Sequence, residues 1–212
     1  MIAPIPKKTL NPSTLMSPLP VVLVSCRGRA GGACDKPNLI TLAWAGVINS
    51  EPPMVSVSIR KSRYSHQQIT ESGEFVVNLV DKSLLRVTDY CGVKSGRDTD
   101  KFSDCKLTPV AAEGLQTAPA VEQSLLTLSC RVRQILELGS HDCFLAEIIA
   151  VQAAEDLFDR QNRLCLDKAG LVAFCHGNYY GIGDMLGFFG FSVASKKVLT
   201  KRMPKSAKGK KE

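Results

Sequence analysis

The sequence predicts a mainly β (α+β) protein: a closed antiparallel barrel with short flanking helices. Three observations support this. Six or seven strand-like runs follow one another with mostly local connections, the pattern of a meandering or Greek-key barrel. Only two or three segments carry helical spacing, and all are short. Of 212 residues, 44% are hydrophobic, enough for one sizeable core, and no window approaches eighteen uninterrupted apolar residues.

Taken in chain order, residues 1–17 read as an irregular arm rich in proline. PLPVVLVSC (18–26) is a strand. The Gly-rich RGRAGGACDKP that follows has neither GxGxxG nor Walker spacing, so it reads as a hairpin-type connection. Strands near 38–46 and 54–60 flank the Pro52–Pro53 corner. RYSHQQITESG (63–73) has helical spacing and a glycine stop. EFVVNLV (74–80) is a strand. A second helix spans 81–91, with Leu84, Val87, Thr88 and Cys91 on one face and Asp81 as N-cap. CGVKSGRDTDKFSDC (91–105) is charged and polar, which predicts a surface loop. A long alternating strand over 124–138 turns at 139–142 into its partner over 143–155, and LVAFC (171–175) with NYYGIG (178–183) closes the series. The expected organisation is an arm over 1–17, one domain over 18–193 and a basic flexible tail over 194–212.

The formal charge of +7 resembles a nucleic-acid signature until it is located. Eight of the 27 Lys/Arg and one of the 20 acids lie in 196–212, so residues 1–195 carry 19 of each and are neutral. A neutral body without an aromatic–basic platform argues against nucleic acid as the main partner; the tail reads as a solvated appendage. Lys7, Lys8 and several prolines interrupt the first twenty residues, which therefore lack the apolar stretch of an export signal. Eight scattered cysteines without CxxC or Cys/His spacing then predict reduced, mostly buried thiols, a cytoplasmic setting and no metal site. Cys91, read as exposed, is the thiol left open to a redox role.

The chemistry concentrates around the double-proline corner. Val55, Val57 and Ile59 alternate onto one face of a strand; Ser56, Ser58 and Arg60 occupy the other. Two hydroxyls and a guanidinium beside a turn suit an anion such as a phosphate, and suit a solvated outer face equally.

NLITLAWAG (38–46), SEPPMVSVSIRKSRYSHQQI (50–69), GEFVVNL (73–79), DYCGVKSGRDTDKF (89–102), GSHDCFLAEI (139–148) and GFFGFSV (187–193) occur in an order that resembles the flavin reductase-like family, in particular its flavoredoxin-type branch. That resemblance implies a six-stranded antiparallel Greek-key split barrel, usually a homodimer, with FMN in a cleft. It places Asn38, Thr41 and Ala43 beside the isoalloxazine ring. Alternation along a strand puts Asn38 and Thr41 on opposite faces, so a shared contact requires a bulge near Leu39. Trp44, the only tryptophan, would screen the ring, or else belong to the barrel core. Ser58, Arg60, Arg63 and Ser65 would grip the ribityl phosphate at a strand end running into a helix start; Arg60 and Arg63 also suit surface ion pairs. Lys101 would approach the flavin from the side, Tyr180 its dimethylbenzene edge, and His141 the nicotinamide face as the catalytic residue. Ala146 stands before Glu147 where the family commonly has glycine.

The function so implied is an NAD(P)H-dependent flavin oxidoreductase that passes electrons from FMN to free flavin or a redox partner protein. A non-enzymatic FMN electron carrier is the alternative. Position, shielding and electrostatics are the protein's share of such chemistry, which accounts for the lack of a nucleophile–base constellation.

Overall fold

The computed structural model describes residues 3–203. In chain order these form β1 (Leu19–Pro20), β2 (Val22–Cys26), β3 (Asn38–Leu42), β4 (Ala45–Ser50), β5 (Pro53–Arg60), α1 (Tyr64–Ser72), β6 (Glu74–Leu79), α2 (Leu85–Val93), α3 (Lys101–Asp104), β7 (Pro109–Ala111), β8 (Pro119–Val121), β9 (Leu126–Glu137), β10 (His141–Ala153), β11 (Val172–Cys175), β12 (Asn178–Gly181) and α4 (Lys196–Arg202). The chain divides into two compact units, one ending at Gly181 and the other beginning at Ile182. The first holds every strand and α1–α3; the second holds a short 3-10 turn, Phe191–Val193, and α4.

Seven strands make the principal sheet, in the order β3-β2-β6-β9-β10-β5-β4, and every pairing is antiparallel. The two outermost strands, β3 and β4, are consecutive in the chain, separated by Ala43 and Trp44 alone. The sheet is therefore curled until its edges meet at that dipeptide, with no ladder across the seam. Register shifts at Leu145/Ala146, Ile148/Ala150 and Val47/Asn49 supply the local bends such curvature needs. Inward-facing Val22, Val24, Ile40, Val55, Val57, Ile59, Phe75, Val77 and Phe144 fill the barrel. At about 1.5–3 kcal/mol for each large apolar side chain, this interior is the main stabilising term. The alternation read in β5 holds: Val55, Val57 and Ile59 are buried, and Arg60 is exposed.

A second apolar cluster lies on the other side of the sheet, where Leu23 and Leu39 meet Leu84 and Cys91 of the α2 region, Phe102 of α3, and Val172. A third joins Val76 to Ala112, Ala118 and Ala120 beneath β7 and β8. Asn78 fastens that region: its amide donates to Leu23 O (2.8 Å) and Ser25 Oγ (2.9 Å), and its Oδ1 accepts from Val121 N (2.9 Å).

Several expectations change in detail. The barrel sheet has seven strands, not six, because the run over 38–46 breaks at the seam into β3 and β4. The second helix starts at Leu85, not at residue 81; Asp81 Oδ1 instead caps the turn before it, accepting from Ser83 N and Leu84 N, both at 3.0 Å. The charged 91–105 segment is not all loop. It contains α3, capped by Asp100, which accepts from Ser103 N at 3.2 Å, because Phe102 and Leu107 have an apolar cluster to enter. Strands β7 and β8 have no counterpart in the sequence reading, being three residues each. The tail carries α4 over Lys196–Arg202, with Arg202 stacked 4.1 Å from the Phe188 ring centroid; the basic residues 204–212 lie outside the described residues. Cys91 is buried, not exposed, and burial pushes its thiol up to about 12, so it is not a reactive thiolate. No described helix is long and apolar enough to cross a membrane.

Candidate functional site

Three stretches of chain meet beside the seam: β3 with its exit through Ala43 and Trp44, the end of β5 running into α1, and the end of α2 running into α3. Between them lie two adjoining cavities of about 510 and 170 Å³ that share Ile40, Arg60 and Arg63 as walls. The larger is lined by Asn38, Ser65, Tyr64, Lys94, Gly96 and Lys101 among others; the smaller by Thr41, Ala43, Trp44, Ser58 and His141 among others. No carboxylate lines either.

The larger cavity carries cations and hydrogen-bond donors and no acid. Arg60 closes β5, and a turn follows in which Arg63 N donates to Arg60 O (2.9 Å). Arg63 then sits at the N-cap of α1 in an extended conformation and offers no side-chain cap. The N–H groups of Tyr64 and Ser65 are thus available to an external acceptor, whereas His66 N already donates to Arg63 O (3.0 Å). Among the described residues neither Arg60 nor Arg63 makes an ion pair, so the surface ion-pair alternative is not what the structure contains. Helix α1 forms because Ser65, Gln68 and Ile69 share its buried face, and it stops at Gly73, whose φ of 69° suits glycine and whose N–H reaches Ile69 O (2.8 Å).

Asn38 is 2% exposed, and its amide donates to Ser65 Oγ at 2.8 Å. The Ser65 hydroxyl thereby accepts from Asn38 and keeps its own proton to donate. Asn38 Oδ1 is buried with no hydrogen-bond partner among the described residues. An unpaired buried acceptor costs about 1–3 kcal/mol, so this carbonyl is poised for an N–H or O–H donor entering the cavity. Gly96 packs directly against that carboxamide: a Cβ there would overlap Oδ1 and lie 2.6 Å from Asn38 Cγ. Lys101 is not a solvated loop cation. It is 3% exposed, and Nζ donates to Leu39 O (2.6 Å) and Cys91 O (2.8 Å); burial lowers its pKa. It floors the cavity and bolts α3 and α2 onto β3.

The smaller cavity has a different character. Trp44 stands at the seam, 40% exposed, with its ring 4.5 Å from that of His141 at 43°. It is a wall of the cleft and not part of the barrel interior. Trp44 O accepts from Ser58 N (2.9 Å), which holds the corner against β5. His141 opens β10 opposite Arg60 in register. Burial, and then the Arg60 charge, lower its pKa, so its imidazole is neutral at pH 7. Its Nδ1 lies 2.9 Å from Ser140 Oγ.

The β2–β3 register is regular from Cys26↔Asn38 to Val22↔Leu42, so there is no bulge at Leu39. Asn38 and Thr41 do face opposite ways: Asn38 points towards Ser65, and Thr41 Oγ1 is committed to Thr88 O. Both still reach the cleft, at different cavities. Of the predicted site residues, Tyr180 is the one the structure leaves outside: it lies on β12, paired with β11, 54% exposed, and lines neither cavity. Sequence reasoning missed Tyr64 and Lys94. Tyr64 sits inside the KSRYS run already singled out and was readable there; Lys94 lay among charges that looked like ordinary solvation.

A seven-stranded split barrel with an acid-free cationic cleft at its seam has the chemistry to suit a small anion or a nucleotide. The chain belongs to the flavin reductase-like family: the pattern of the Flavin reductase like domain matches residues 15–183. Among solved structures it is similar to the flavoredoxin of Desulfovibrio vulgaris (Miyazaki F), with a TM-score of 0.80 and 32% identity over 89% of this chain and 100% of that one. It is also similar to the flavoredoxin of Methanosarcina acetivorans, with a TM-score of 0.77 and 30% identity over 94% and 100%. Among curated proteins, the reductase component of the Rhodococcus opacus 4-nitrophenol 4-monooxygenase/4-nitrocatechol 2-monooxygenase is 30% identical over 48% of this chain and 51% of its own. The chain spans 66% and 49% of two other curated relatives that it matches, from Archaeoglobus fulgidus and Aeropyrum pernix.

Proposed function

We propose that the protein is an FMN-dependent oxidoreductase that accepts hydride from NAD(P)H and passes electrons to free flavin or to a partner protein such as an oxygenase. One observation carries this reading: an acid-free cleft whose larger end holds two uncommitted guanidiniums and an orphaned carboxamide oxygen, and whose other end is walled by Trp44 and His141. FMN fits that donor set. Arg60, Arg63, Ser65 and the N–H groups of Tyr64 and Ser65 at the start of α1 would hold its phosphate. Asn38 Oδ1 would accept from a flavin N–H or a ribityl O–H. Thr41 and Ala43 would border the ring through their main chain, as Ser58 would through its hydroxyl. Trp44 and a neutral His141 would keep water from the ring edge without adding a charge beside it. Lys101 and Arg60 would make the surroundings positive, which favours added electrons. When bound, FMN supplies the two-electron acceptor for hydride and the donor to the next carrier.

The test is an absorption spectrum of the purified protein, then anaerobic mixing with NADH and with NADPH. Bleaching of the flavin band by either is the expected result; a protein that neither carries nor takes up FMN overturns the reading. The electron-carrier alternative is favoured by the similarity to two flavoredoxins. It wins if dithionite bleaches the flavin and neither nicotinamide does. We also take the protein to act as a homodimer, since Val47 and Ile48 of β4 and Leu138 of the β9–β10 turn are apolar and exposed. A monomeric mass by light scattering overturns that part.

A further inference from the structure

The phosphate end of the cleft has two walls that no strand joins. One is the 62–65 turn into α1; the other is the 94–96 loop between α2 and α3. Arg97 joins them from outside the cavity, which it does not itself line. Its Nη1 donates to Ser62 O at 3.0 Å, and its guanidinium lies over the Tyr64 ring, 5.4 Å from the centroid. The loop that carries it is braced from within: Ser95 O accepts from Asp98 N and Thr99 N (3.2 Å each) and from Thr99 Oγ1 (3.0 Å), and Ser95 Oγ accepts from Arg97 N (3.2 Å). Gly96, next to Arg97, rests on the Asn38 carboxamide. The loop is thus stiff, and Arg97 ties it to the 62–65 turn. Among the described residues Arg97 makes no ion pair, so it is not committed elsewhere.

Resting on the flavin reading above, we propose that Arg97 is a positioning residue that straps the 94–97 loop across the phosphate end of the cleft and sets how long FMN stays, making it a retained group and not a passing substrate. A phosphate leaving between the two walls must part them, and parting them breaks both Arg97 contacts at once. Each is exposed and modest by itself. A charged-donor hydrogen bond and a surface cation–π contact together slow release by roughly 5- to 30-fold.

The experiment uses the full chain loaded with FMN, diluted so that released flavin is read by its recovered fluorescence. Wild type is compared with Arg97→Ala, Arg97→Lys and Tyr64→Leu, and the melting of each flavin-free protein is recorded alongside. The expected result is release about 5- to 30-fold faster in Arg97→Ala, a smaller acceleration in Tyr64→Leu, and most of the slow rate kept in Arg97→Lys, with flavin-free melting unchanged. Release from Arg97→Ala within about twofold of wild type, against that expectation, overturns the strap. So does acceleration confined to variants whose flavin-free form melts lower, since that marks a merely structural role. If Arg97→Ala does not fold, Arg97→Gln decides by the same two criteria. A wild type that takes up no FMN overturns the flavin reading itself, an outcome distinct from a wild type that binds and a variant that releases no faster.

Discussion

Gly96→Ala adds one methyl group at the most crowded point of the cleft. The new Cβ would stand 2.6 Å from Asn38 Cγ and 2.8 Å from Asn38 Nδ2. Carbon–carbon contacts are comfortable only from about 3.5 Å, so one side must move. Asn38 has little room to yield: it is buried, and its amide is tied to Ser65 Oγ at 2.8 Å. Overpacking of this kind costs about 1–3 kcal/mol, and losing the Asn38–Ser65 bond adds about 0.5–1.5 kcal/mol, a total near 2–4 kcal/mol. For a domain of this size each kcal/mol lowers the melting midpoint by about 2–4 °C, so Gly96→Ala melts roughly 5–15 °C lower. Asn38→Gly removes the obstacle, and in that background Gly96→Ala should cost under about 1 kcal/mol, a coupling that a double-mutant cycle measures. Chemical denaturation of the four proteins supplies the numbers. Equal cost of Gly96→Ala in both backgrounds refutes the reasoning, because the clash would then not be with Asn38.

Arg60→Ala and Arg63→Ala should each weaken FMN uptake about 5- to 30-fold by titration, the loss of one charge-assisted bond at an exposed site; unchanged affinity in both places the phosphate elsewhere. Lys101→Met strands the carbonyls of Leu39 and Cys91, now held at 2.6 and 2.8 Å, and should lower stability by about 2–4 kcal/mol in urea; a neutral effect shows the ammonium is not a bolt. Glu74 Oε2 accepts from Gln116 N (3.0 Å), Thr117 N and Thr117 Oγ1 (both 2.8 Å). Burial alone would raise its pKa, but the Thr117 and Gln116 donors outweigh it, and the net direction is down from 4.5. Its stabilising contribution is therefore complete above pH about 4.5 and fades as pH falls through the lower folded value. Glu74→Gln should flatten that acid limb of the stability profile, and an unchanged limb would assign it to other carboxylates.

Much of the architecture was readable because its signals are local. The alternation of Val55, Val57 and Ile59, the glycine stop at residue 73 and the β9–β10 turn each need only a few neighbours to be interpreted. The seam was not readable, since nothing in NLITLAWAG says that its two halves pair with different partners at opposite edges of one sheet. The 91–105 segment misled for a related reason: its charges dominate the composition, while the burial of Phe102 and Lys101 is decided by β3 residues about sixty positions earlier. Ten of the eleven predicted site residues line the cleft, because they cluster in short runs that the fold carries in as blocks. Tyr180 lies in the separate NYYGIG run, which the fold sets on β12 beside β11 and not at the cleft. The His66–Asp142 contact at 2.8 Å was invisible for want of any sequence link across that distance.

The Ala43–Trp44 link has a consequence for how occupancy of the cleft is seen from afar. The strands it connects are six positions apart in the order of the sheet, so in an ordinary opening fluctuation they fray independently, each as a free margin of the ladder. A molecule seated in the cleft touches β3 and the Ala43–Trp44 link but no residue of β4, so it slows deuterium uptake along β3 and at the link while the β4 margin keeps its own rate.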